Sequence, residues 1–152
     1  MGIKGQVWIE TVVYTLIGLT LIGLGLGRVT PKINQYKDRA VIEQTISSFN
    51  VIDDEINQIL RAPGNVRTVE FRMKRGELYF NSSGDSIYFV LPDSRLMYSQ
   101  PGEETSIGQI NVLTGEGNKI RTVTLSMNYD VDLLYTGAGG DVELKKLSAS
   151  AT

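Results

Sequence analysis

An α+β protein is predicted, with a long N-terminal helix, apolar in its first half and amphipathic in its second, leading into a small antiparallel β-sandwich or barrel. Three observations predict it. Residues 7–26 form an apolar run with a single Asp, Glu, Lys or Arg residue, Glu10. Apolar residues then recur at spacings of three and four as far as Leu60, and past Gly64 their period falls from 3.6 to 2. The chain has 152 residues; setting the first run aside leaves about 120, enough for one compact domain with a modest core.

The first element is the run IKGQVWIETVVYTLIGLTLIGLGLGR, Ile3 to Arg28. About twenty helical residues cover the roughly 30 Å of a hydrocarbon core, so a membrane span is predicted over residues 7–29. The run is too long for the apolar region of an ordinary secretory signal and no A-x-A site follows it, so no cut is expected at its C-terminal end. Glycines stand at Gly18, Gly23, Gly25 and Gly27, and the Gly23/Gly27 pair has the G-x-x-x-G spacing that lets a second helix approach closely. Glycine is also common in membrane helices for no such reason. At Thr30-Pro31 the missing N–H and the crowding ring predict a kink at Pro31.

The helix is expected to continue beyond it. Over residues 32–61 the apolar set Ile42, Ile46, Phe49, Ile56 and Leu60 shares a face, with Ala40 and Ile52 at its margin, while Glu43, Gln44, Ser47, Asp54 and Gln58 point elsewhere. Arg61-Ala62-Pro63-Gly64 ends the helix, which is placed over residues 6–62. A straight helix from Gln6 to Leu60 would be about 80 Å long.

The β domain is placed over residues 65–148. Val69, Phe71 and Met73 alternate in the first predicted strand, Lys74-Arg75-Gly76 forms a hairpin turn, and Leu78 and Phe80 begin the return. After NSSGD come Ile87, Phe89 and Leu91; PDS then leads to RLMYS. QPGEET is read as a loop before IGQINVL, and TGEGNK as a turn. The longest alternation runs from Val123 to Tyr135 and would span about 50 Å as one strand, so a bend is expected near residues 128–132, carrying the chain into a second sheet. TGAGGD turns, VELKKL makes a last strand, and residues 149–152 are a frayed tail. Seven or eight short strands result.

Composition narrows the function. A net charge of −2 gives no electrostatic reason to expect a nucleic-acid partner. The chain has no Cys and no His, which removes thiol nucleophiles, the usual zinc ligands and the commonest general base, so neither enzyme activity nor a cofactor is expected. Asp53-Asp54-Glu55 is read as a solvated helix face. Asp130 and Asp132 share one side of a strand, but no third oxygen donor is fixed beside them in sequence, and no metal site is assigned. Gly137, Gly139 and Gly140 precede no helical pattern and form no phosphate loop. The tyrosines Tyr79, Tyr88, Tyr98, Tyr129 and Tyr135 are read as sheet-packing residues. Asn81-Ser82-Ser83 is an N-glycosylation sequon in a predicted turn.

Glu10 is the residue that needs a reason. A carboxylate about one turn inside the span must snorkel, pair or carry a proton, because leaving it charged in lipid costs a few kcal/mol. Just before it, Lys4-Gly5-Gln6 sets a cation and a small residue ahead of the apolar run. The stretch from Lys4 to Glu10, followed by its apolar helix, resembles the class III signal segment of archaeal type IV pilins, archaellins and related surface proteins. That resemblance implies a leader of residues 1–5 removed by a membrane prepilin-type peptidase after Gly5. Gln6 would become the first residue and Glu10 the fifth, where many type IV pilins carry a glutamate thought to pair with a neighbour's N-terminal amine. Burying the two charges together loses far less than burying either alone and favours one axial register.

The resemblance further implies a chain held in the membrane before assembly and then built, by the pilus assembly machinery, into a homopolymeric extracellular filament. Arg28, Lys32, Lys37 and Arg39 follow the span while Lys4 precedes it; the positive-inside rule alone would put the β domain in the cytoplasm. The alternative function is a membrane-anchored surface binding module that does not polymerise.

Overall fold

The computed structural model describes residues 3–133 and 144–148 and comprises two compact units, Met1–Gln35 and Tyr36–Thr152. Helix α1 (Ile3–Arg61) begins in the first unit and ends in the second. The strands are β1 (Glu77–Asn81), β2 (Ser86–Ser94), β3 (Glu104–Ile107), β4 (Ile110–Thr114), β5 (Arg121–Asn128) and β6 (Leu144–Ser148). The fold is α+β, as read from the sequence.

In the first unit α1 starts at Ile3 and passes through Pro31 without ending. Proline has no N–H to offer the carbonyl of Gly27. Thr30, just before it, donates its hydroxyl to the Leu26 carbonyl at 2.9 Å and leaves the Gly27 carbonyl without that donor.

In the second unit α1 stops where the sequence breaks it. The Ala62 amide is shared between the carbonyls of Gln58 (3.1 Å) and Ile59 (3.2 Å), and Gly64 then takes φ 91°, a left-handed value that suits glycine. The strands form one antiparallel sheet in the order β3-β4-β5-β2-β1-β6. Register pairs Leu78 with Phe89, Phe89 with Leu125, and Leu125 with Val112, so one inward row crosses four strands. Ile87, Leu91, Ile110, Val123 and Met127 join it in the core.

The cover for this face is α1, not a second sheet. Its buried positions are Asp38, Ile42, Thr45, Phe49 and Ile52, continued by the half-buried Ile56. This stripe is rotated from the predicted one: Ile52 lies at its centre, whereas Ala40 and Leu60 are exposed. The apolar periodicity alone could not fix the phase, because two of the buried positions are polar.

Three strand expectations are also corrected. Residues 65–73 alternate, with Val69, Phe71 and Met73 packed against the core, but they belong to no ladder, so Lys74-Arg75-Gly76 is a bend rather than a hairpin turn. Phe71 meets Phe49 at 6.1 Å between ring centroids, and Arg67 stands 3.8 Å from Glu55, so side chains rather than a ladder tie this strap to the helix. PDS is not a turn: β2 continues through it with a bulge between Leu91 and Ser94, while residues 95–98 are irregular. Pro92 cannot donate to a ladder and Asp93 takes φ 53°, which resets the alternation so that Ser94, not Asp93, faces inward. Finally, β3 occupies the end of the predicted QPGEET loop, and Gly108-Gln109 splits the IGQINVL segment into two strands.

The long alternation breaks at Asn128, inside the expected interval, but the chain does not enter a second sheet there. The Tyr129 amide donates to the Asp85 carbonyl at 2.8 Å and the Leu133 amide to Asp85 Oδ1 at 2.9 Å, so the β1–β2 turn captures the backbone that would have continued β5. Asp85 adopts φ 44° to do so. Tyr135, the glycine-rich turn and residues 149–152 lie outside the described residues.

Gly76 sits at the entrance to β1 with φ 95°, and a Cβ there would lie 2.2 Å from the Phe89 ring and 2.9 Å from the Val90 carbonyl oxygen. Both the backbone angle and the space demand glycine. Gly76→Ala is expected to destabilise the second unit by about 3 kcal/mol, read from a denaturant melt of the detergent-solubilised chain followed by near-ultraviolet circular dichroism.

Candidate functional site

The candidate site in the first unit is the surface of the apolar half of α1. Its large side chains are exposed throughout, Trp8 at 70% and Leu24 at 66% among them, and the helix is long and apolar enough to cross a membrane. Its threonine hydroxyls are satisfied locally. Thr11 donates to Val7 (2.9 Å), Thr15 to Thr11 (2.8 Å) and Thr20 to Leu16 (2.7 Å), each to a backbone carbonyl one turn back. Glu10 has no such outlet. Its carboxylate has only acceptors to offer when ionised, no helical N–H is free to receive it there, and it takes no hydrogen bond or ion pair among the described residues.

The four glycines add relief to that surface. A Cβ built at Gly18, Gly23, Gly25 or Gly27 meets nothing within 4 Å, so each leaves open space beside the helix backbone. The backbone of Lys4, Gly5 and Gln6 is helical and continuous with the span.

In the second unit the polar centre is Asp38, which sequence reading did not single out. Its carboxylate is buried and holds three groups. Oδ1 accepts from Arg75 Nη1 at 2.5 Å, and Oδ2 accepts from the Arg95 amide at 2.9 Å and from the Ser94 hydroxyl at 3.2 Å. Arg75 also reaches the Pro92 carbonyl at 3.3 Å. One helical carboxylate thus fastens α1 to the bend before β1 and to the bulged end of β2. The available signal was its phase, since Asp38, Ile42, Thr45 and Phe49 step by four, three and four residues.

At the other end of the domain a polar cavity of about 240 Å³ lies among Asp53, Asn57, Gln109, Asn128, Tyr129 and Asp130. Burial, and then the charge of the Asp53 carboxylate, push the Tyr129 phenol well above its usual range, and the hydroxyl donates to Met127 Sδ at 3.8 Å. Asp53 accepts from Asn57 Nδ2 at 3.1 Å. Asp130 and Asp132 are both exposed beyond the end of β5, and no three His, Cys, Asp or Glu side chains come together among the described residues.

No family model, curated protein or solved structure matches this chain. Assignment therefore rests on the residues themselves. Asn81 closes β1 in a turn where its Oδ1 accepts from the Gly84 amide at 3.2 Å and the Ser83 hydroxyl at 3.3 Å. Tyr79 and Tyr88 stack across β1 and β2 at 4.8 Å on the face away from the helix, where the Tyr79 hydroxyl donates to Glu77 at 2.6 Å.

Asp38→Ala removes a buried acceptor from three donors, and a loss of about 3 kcal/mol is expected. Arg75→Ala is expected to lose only about 1 kcal/mol, because the guanidinium is half exposed and the carboxylate keeps its Ser94 and Arg95 donors. Chemical denaturation of the two variants side by side checks the order.

Proposed function

We propose that this chain is a structural subunit of a type IV pilus-like surface filament, held in the membrane by the apolar half of α1 before assembly and joined to copies of itself through that half afterwards. The observation that carries the reading is the pairing of an exposed apolar helix surface with one unsatisfied carboxylate. Lipid can solvate the apolar side chains but offers Glu10 no donor. A neighbouring subunit's free amine would supply one. The open surfaces at Gly18, Gly23 and Gly27 support close helix–helix contact, since packing must replace lipid contacts when the helix leaves the bilayer.

In this reading Lys4 and Gly5 mark the peptidase site, Gln6 supplies the amine, and Asn81 is available for a glycan on the exported domain. The chain needs no reaction chemistry of its own. A second reading, a membrane-anchored binding module that does not polymerise, draws on the polar cavity among Asp53, Asn57 and Gln109.

The deciding measurement is the N-terminal sequence and intact mass of the protein from its native membrane or surface fraction. A chain beginning at Gln6 is expected. A chain beginning at Met1 or Gly2 removes the amine partner of Glu10 and favours the anchored module. Glu10→Ala should leave the subunit folded and membrane-bound while lowering surface filaments about tenfold or more, as counted by electron microscopy. Normal filament numbers in that variant would overturn the pairing.

A further inference from the structure

We infer that the end of the β domain gathered around Asp38 is a contact surface for anionic lipid headgroups. The inference rests on the reading that the apolar half of α1 spans a bilayer, and it adds a second membrane contact made by the folded domain.

Three segments meet at Asp38: α1 itself, the bend containing Arg75, and the loop that begins at Arg95. Each contributes an exposed cation next to the junction, namely Lys37, Lys74 and Arg95. None of the three has an ion-pair partner among the described residues. The neighbouring carboxylates are largely engaged, Asp38 by its three donors and Glu43 by Arg39 at 2.8 Å, while Asp93 remains exposed. A concentration of free cations runs against a chain whose net charge is −2.

Apolar and aromatic groups stand among these cations. Tyr36 is 71% exposed and Met97 58% exposed. Their loop is held in place, because the Arg95 amide donates to Asp38 at 2.9 Å and the Leu96 amide to Ser94 Oγ at 3.1 Å. Cations interleaved with tyrosine and an exposed apolar side chain form the composition of a membrane-interface anchor.

Position in the sequence fits as well. Lys37 follows the predicted span, residues 7–29, by eight residues, and basic residues that close to a span are drawn to an anionic membrane surface.

The absence of cysteine makes the test direct, since one introduced thiol can be labelled alone. Met97→Cys and, as a control beside the polar cavity, Gln109→Cys are each labelled with a fluorophore in the full chain. Both are placed in nanodiscs of phosphatidylcholine with or without phosphatidylglycerol, with a nitroxide quencher on the headgroups. Quenching at position 97 is expected to exceed that at 109 several-fold, to rise with the phosphatidylglycerol fraction and to fall with salt. Lys74→Glu combined with Arg95→Glu should abolish the phosphatidylglycerol dependence while leaving the near-ultraviolet circular dichroism unchanged. A chain that enters the nanodiscs but is quenched equally at both positions, or without regard to lipid charge, overturns the headgroup contact alone. Self-quenching between labelled copies at position 97 overturns it in favour of a subunit contact. Failure to enter the nanodiscs overturns the bilayer span and this inference together.

Discussion

A single open sheet has one apolar face that must be covered, and here the cover is the second half of α1. Phe49 and Ile42 are fully buried against the inward rows of β1, β2, β4 and β5. Removing the helix would expose those rows to water at about 25 cal/mol per Å². The β domain is therefore not an independent module with a helix attached, because its core is built from both. The same constraint explains why α1 changes character along its length: the part in the second unit is committed to the sheet, and the part in the first keeps its apolar side chains exposed among the described residues.

The buried Asp38 carboxylate fixes where that cover sits. An apolar stripe packed on an apolar sheet face is tolerant of sliding, since hydrophobic burial is not directional. Three hydrogen bonds to one carboxylate are directional and tie α1 to both the Arg75 bend and the β2 bulge. Leaving a carboxylate buried without them is costly, so a single register is strongly favoured. The same bulge accounts for the left-handed Asp93 and the inward turn of Ser94.

Much of this fold is written in periodicity. The apolar run, the amphipathic continuation, the break at Pro63-Gly64 and the period-two segments are local signals, and α1, β1, β2, β4 and β5 follow them. Local signals fail where a long-range partner decides. Residues 65–73 alternate like a strand, yet they pack by side chain on Phe49 rather than joining a ladder. The alternation past Asn128 is broken by hydrogen bonds that the Tyr129 and Leu133 amides donate to Asp85, more than forty residues earlier in the chain. Counting strands could not distinguish a sandwich from one sheet under a helix, because either arrangement buries the same alternate residues. Of the candidate site, Glu10 was legible as an isolated charge in an apolar run, whereas Asp38 was hidden among the ordinary charges of an amphipathic helix.

The position of Asp38 also has a mechanical meaning. Tension carried along the apolar half of α1 would enter the folded domain at Tyr36, only two residues ahead of that carboxylate. The bonds to Arg75, Ser94 and Arg95 would share the load at one point, instead of yielding in sequence as a row of weaker contacts would. Force would then pass into the bend before β1 and the bulged end of β2 rather than into the edge strands β3 and β6. Under such a pull Asp38 would be the residue at which α1, the bend before β1 and the end of β2 are held together.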